Sequence, residues 1–139
     1  MFISIGGTRV NFMIQAVDSC PTAFIVIDKN GIIVESNKAT AELFGYEKGE
    51  IHGLEVENLI PLELSSKHKE YVQSFFQNPE SRKMGGGRVL SGSKKDGTKI
   101  FVEIGINFFK NDGHFFGVAN IVDVTQEYKM RKLIDRTQE

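Results

Sequence analysis

The chain has 139 residues, 40% hydrophobic and 25% charged, with a formal net charge of −1, the size and composition of one globular domain. That balance creates no global field for nucleic acid or an anionic membrane, and a single cysteine, Cys20, excludes an intramolecular disulfide. Apolar runs such as Ala23 to Ile27 fall well short of the roughly 20 residues a membrane span needs, and Met1 to Thr8 lacks the basic start and apolar centre of a signal peptide, so the expectation is a soluble, cytoplasmic piece.

Met1 to Thr8 ends in Gly6-Gly7-Thr8 and reads as a tail or a short strand on a partner. Val10, Phe12, Met13, Ile14 and Val17 predict a short amphipathic helix stopped by Pro21. Ala23 to Ile27 is a predicted strand, Asp28-Lys29-Asn30-Gly31 a turn, and Ile32 to Glu35 the returning strand. Asn37 stands where a helix N-cap belongs, ahead of a predicted helix over Lys38 to Phe44 that Gly45 ends. From Tyr46 to Pro61 the periodicity is broken and short helical turns are expected. Leu64, His68, Tyr71, Val72, Phe75 and Phe76 then form one stripe of a longer helix, Leu64 to Phe76, with Tyr71 in the core, and Asn78-Pro79 stops it. Arg82 to Gly87 reads as a flexible approach to a sheet. Its Gly85-Gly86-Gly87 run is no phosphate cradle, because a P-loop opens a helix whereas this run enters a strand.

Arg88 to Asp123 predicts three antiparallel strands joined at Asp96-Gly97 and Asp112-Gly113, dipeptides that tolerate the positive φ angles of a type I′ turn. Ile100, Val102, Ile104, Ile106 and Phe108 share one face; Phe101, Glu103, Gly105 and Asn107 take the other. A helix follows over Val124 to Glu139, with Thr125 as its N-cap. Two strands before a helical middle and three after it predict an α+β fold: one five-stranded antiparallel sheet whose apolar face the helices cover, with further helices flanking it at the N- and C-terminal sides.

Several stretches carry a resemblance to a known family. Ala23 to Asp28 with Gly31-Ile32-Ile33, Asn37-Lys38-Ala39, Leu43-Phe44-Gly45-Tyr46, Ile60-Pro61, His68-Lys69-Glu70-Tyr71, Lys95-Asp96-Gly97-Thr98 and Val122-Asp123-Val124-Thr125 stand in the order found in PAS (sensory box) domains. The chain resembles that family from about Ala16 to about Tyr128. The resemblance implies a tail and flanking helix over 1–15, a sensor domain over 16–125 and a linker helix over 126–139. It also implies a multidomain signalling protein with a covalently linked histidine kinase or diguanylate cyclase output domain beyond this stretch.

His68 matches the axial iron ligand of the haem-binding oxygen sensors of this family, and Arg88 matches an arginine that contacts bound gas there. Sensory boxes without haem resemble this chain at the same His and Arg, and Lys83 stands where haem sensors carry an apolar residue. Haem is therefore one candidate beside another small molecule or no ligand. Flavin ranks lower: the light-sensing branch needs a cysteine in the helical middle, and Cys20 precedes the first strand. Period two on the last strand places either Phe116, Val118 and Asn120 or their neighbours toward a pocket. The first set is expected, with Asn120 as a polar anchor.

No paired carboxylates, Ser/His/Asp set or metal spacing presents itself, so a catalytic role is not expected. Two classes remain: a ligand-sensing module, and a ligand-free interaction module. Phe12, Met13 and Val17 with Tyr128, Met130, Leu133 and Ile134 predict a homodimer through the terminal helices. Asp123 and Thr125 join the last strand to the exit helix without a glycine, and are expected to couple a pocket to that helix.

Overall fold

The computed structural model describes residues 6–83 and 87–138, with side chains over 11–81 and 87–136. In chain order the elements are helix α1 (Gly6–Ser19), strands β1 (Ala23–Ile27) and β2 (Ile33–Ser36), helix α2 (Lys38–Phe44), two short 3-10 turns (Val56–Leu59 and Leu62–Leu64), helix α3 (Ser65–Gln77), strands β3 (Arg82–Lys83), β4 (Leu90–Ser93), β5 (Lys99–Asn111) and β6 (His114–Asp123), and helix α4 (Thr125–Gln138). The sheet is antiparallel in the order β2-β1-β6-β5-β3, with β4 also paired to β5.

The five expected strands are present, and β3 is an addition. Arg82 and Lys83 pair with Ile106 and Gly105, so the stretch expected to be only a flexible approach begins in the sheet. The reason lies on β5: β4 pairs only Lys99 to Val102, and β3 supplies partners further along the same edge. Met84, Gly85 and Gly86 lie outside the described residues. Gly6 to Thr8 belong to α1, so the expected tail contracts; residues 1–5 also lie outside the described residues.

The two hairpins close differently. Asp112 (φ 50°) and Gly113 (φ 81°) both have positive φ, as a type I′ turn requires. At the other hairpin only Gly97 (φ 89°) does; Lys94 N donates to Thr98 O and Gly97 N to Lys94 O, a longer loop with one left-handed glycine. The expected type I′ pair holds at one site of two.

The apolar face of the sheet is covered by α2, the 3-10 turns and α3. Ile33, Phe44, Ile51, Leu59, Ile100, Val102 and Ile121 are buried there. A second, polar knot fastens α2 to β1. Asn37 caps α2 by accepting from Thr40 N, and its Oδ1 also accepts from Phe24 N and from the Thr40 hydroxyl. Its Nδ2 donates to Thr22 O at 2.9 Å. Asp18 at the end of α1 accepts from Lys38 N. No helix among the described residues is long and apolar enough to cross a membrane.

Candidate functional site

Between α3 and the sheet lies a cavity of about 90 Å³. Ile25 and Ile27 of β1, Ile104 and Ile106 of β5, and Val72 and Phe75 of α3 are among the residues of its wall. The chain leaves space there by using small residues on β6. A Cβ added at Gly117 would stand 3.2 Å from Phe75 Cε2 and 3.3 Å from Ile27 Cγ1, so a side chain there would press on both walls. The polar side chains in the lining are His68, Tyr71 and Ser91.

Helical spacing places His68, Val72, Phe75 and Phe76 on the covered face of α3, while Tyr71 and Leu64 are 45% and 42% exposed. The expected stripe is therefore narrower than drawn: Tyr71 borders the cavity but is no core residue. Leu64 ends the preceding 3-10 turn instead of opening α3, which moves it off the stripe.

His68 is held by a residue the sequence reading missed. Its Nδ1 lies 2.7 Å from Glu57 Oε2, and the two side chains are 15% and 7% exposed. Glu57 belongs to the first 3-10 turn, eleven residues before His68, so no helical or strand period links them. The only signal was an acidic residue in an otherwise irregular stretch. Glu57 also borders a polar cleft with Asn30, Lys69 and Gln73.

Of the three β6 residues expected at the cavity, Val118 lines it and Phe116 and Asn120 do not. Strand pairing sets Gly117 opposite Ile27 and Ala119 opposite Ile25, and directly opposed residues share a face. Gly117, Ala119 and Ile121 therefore face the cavity. Phe116 points away and stacks on Phe109 with centroids 5.4 Å apart. Asn120 is exposed and lies over Gly105, where an added Cβ would meet its Oδ1 at 2.7 Å. Val118 contributes to the lining. Arg88 is exposed, ahead of β4, and does not line the cavity. Cys20 is exposed at the end of α1. His52 bonds Ser36 Oγ at 3.1 Å and does not line the cavity, and His114 sits at the β5–β6 tip.

Asp123 and Thr125 form the junction between sheet and exit helix. Asp123 Oδ1 accepts from Thr125 N at 3.0 Å and from the Thr125 hydroxyl, which makes Asp123 the cap of α4. Thr125 Oγ1 in turn accepts from Phe101 N at 3.0 Å, and Val124 N donates to Phe101 O at 2.8 Å. The Tyr128 ring stacks on Phe101 at 4.3 Å. Phe101 adjoins Val102, a cavity wall residue, so α4 is bonded to the strand that forms the wall.

The titratable groups with shifted pKa values lie away from the cavity. The hydrogen bond from Lys95 holds the Glu50 carboxyl below its ordinary range, and the same bond raises the Lys95 ammonium. Burial raises Tyr46, beside them. The Thr98 hydrogen bonds lower Asp96 in the hairpin turn.

The residues fit haem in one respect and fail in another. A metal-ligating histidine typically donates its second ring nitrogen to a carboxylate, which is the His68–Glu57 arrangement. Pockets for drug-sized ligands, however, measure roughly 300–1,000 Å³, against about 90 Å³ here. A porphyrin does not fit this cavity.

The family model for the PAS domain matches residues 21–126. The sensor protein FixL of Bradyrhizobium diazoefficiens is 27% identical over 131 residues, covering 94% of this chain and 26% of that protein. The oxygen sensor protein DosP of Escherichia coli is 29% identical over 114 residues, covering 79% of this chain and 14% of that protein. The chain thus spans about a quarter or less of these relatives. Among solved structures, the PAS domain of an HTR-like protein from Haloarcula marismortui superposes with a TM-score of 0.69 at 21% identity, covering 84% of this chain and 93% of that one. An RNA-binding light-oxygen-voltage receptor superposes with a TM-score of 0.74 at 16% identity, covering 99% of this chain and 39% of that one, a likeness of fold alone.

Proposed function

The chain belongs to the PAS domain family, and from that premise we propose that it is a cytoplasmic, non-catalytic sensory module which takes a small ligand into the cavity under α3 and passes its state through α4 to a linked kinase or cyclase output domain. The observation that carries the reading is the apolar cavity whose β5 wall is hydrogen-bonded, one residue away, to the first turn of α4. A relative named as an oxygen sensor supports a ligand-sensing role over a ligand-free one. Haem is the alternative occupant that the His68–Glu57 donor set supports and the cavity's volume opposes. A Soret band in the purified domain, lost in His68→Ala, would establish it; no such band is expected.

Ala119→Leu tests the sensing role. Ala119 faces the cavity, and three added carbons would fill it. Overpacking typically costs about 1–3 kcal/mol, so the domain should fold with a lower denaturation midpoint. In the parent signalling protein, signal-dependent output should disappear. An Ala119→Leu parent that still responds in full would show that the signal does not enter through this cavity.

The same reading includes a homodimer through the terminal helices. Phe12, Met13 and Ile14 on α1 and Met130 and Ile134 on α4 are 67%, 48%, 47%, 58% and 51% exposed. Apolar residues spaced in this way on both helices support burial against a second copy. Sedimentation at micromolar concentration is expected to show a dimer, and Phe12→Glu with Ile134→Glu a monomer. A wild-type chain that sediments only as a monomer would contradict this.

A further inference from the structure

The chemistry of the His68–Glu57 pair narrows the ligand class, given the reading of the domain as a ligand sensor. An ionised carboxylate only accepts hydrogen bonds. With Glu57 Oε2 at 2.7 Å, the proton between the two residues sits on Nδ1 of His68. In the neutral ring Nε2 is then a bare lone pair, and no hydrogen bond to Nε2 is formed by the described residues. His68 lines the cavity, so Nε2 is the acceptor available to an occupant. Tyr71 and Ser91 do not discriminate in this way, because a hydroxyl rotates to donate or accept. Tyr71 is also 45% exposed and can be served by water.

Size and charge set two further limits. A cavity of about 150 Å³ holds benzene. One of about 90 Å³ holds a smaller molecule, on the order of four heavy atoms by that comparison. The wall is apolar apart from the groups named, and an ionised occupant would lose its hydration with no opposite charge to replace it. We propose that the cavity selects an uncharged, mostly apolar molecule of about that size bearing one hydrogen-bond donor, whose N–H or O–H is accepted by His68 Nε2. Glu57 acts as the positioning residue: it fixes the tautomer of the neutral ring, the form in which the anchor accepts.

Pyrrole and furan test this, because they share a five-membered ring and differ in an N–H against an O. Each is titrated into the ¹⁵N-labelled domain, and amide shifts are followed at Ile104, Ile106 and Ala119. Both should move these amides, with pyrrole binding about tenfold more tightly, the scale of one net hydrogen bond. In His68→Phe the ring volume is retained and the acceptor removed, so the two affinities should converge. Equal affinities in the wild type would overturn the donor requirement and leave the sensing role standing. A pyrrole preference that survives in His68→Phe would overturn the assignment to His68. If neither probe moves the cavity amides up to its solubility limit, the ligand-sensing role itself fails and the selectivity with it. Should His68→Phe not fold, the wild-type comparison still decides the donor requirement.

Discussion

Asn37→Ala should lower the unfolding free energy by about 2–4 kcal/mol, read from urea denaturation. Asn37 is 3% exposed and Thr40 is fully buried. Removing the amide takes away the cap on Thr40 N, a second acceptor for Phe24 N, and the donor to Thr22 O. An N-cap alone is worth about 1 kcal/mol. The excess arises because Thr22 O loses its donor at a part-buried position, while Thr40 N keeps only the Asn37 carbonyl and Phe24 N only the Thr40 hydroxyl. Asn37→Ser separates the contributions: it can restore the cap and cannot restore the Nδ2 bond. A loss of only about 1 kcal/mol in Asn37→Ala would mean that the residue caps α2 and does no more.

Asp123→Ala and Thr125→Ala should each weaken the coupling of ligand to output in the parent protein while the domain stays folded. A ligand shifts a helix only by its differential affinity for two arrangements, and such coupling is typically ~1–3 kcal/mol, or about 5- to 150-fold in affinity. The junction carries that coupling through few bonds. Asp123 holds Thr125, and Thr125 holds the Phe101 amide beside the cavity wall. Thr125→Ala leaves Phe101 N without its side-chain acceptor, so it should uncouple more completely than Asp123→Ala. Phe101 and Tyr128 remain stacked in either variant, which keeps α4 docked. Full ligand-dependent output in both variants would move the path to α1.

Element types were legible because local chemistry chose them. Ala23 to Ile27 and Lys38 to Phe44 form as the apolar runs, Asn37 and Gly45 indicate, and Gly45 has the left-handed φ of 79° that ends a helix. The face assignment on β5 also followed from period two, since Ile100 and Val102 are buried. On β6 period two allowed two answers, and polarity favoured the set of which only Val118 lines the cavity. Asn120 looked like an anchor, but the register with β1 sets Ala119 against Ile25, a fact of long-range pairing that no stretch of β6 contains. Glu57 was hidden for the same reason: its meaning comes from His68, which only the packing of α3 over the 3-10 turn brings to 2.7 Å. Tyr71 fell off the stripe because α3 presents Val72 and Phe75 to the sheet, which leaves Tyr71 at the edge of that face.

The most direct test of the account is amide hydrogen exchange in α4, measured on the domain with and without saturating pyrrole. Tyr128 N donates to Val124 O at 2.8 Å in the first turn of the helix. If the cavity and the exit helix are coupled, exchange at Tyr128 and its neighbours should change by at least about fivefold, the lower end of ordinary coupling. Altered exchange at Ile104 and Ala119 with no change in α4 would contradict the account, because the cavity would then be filled without the helix responding.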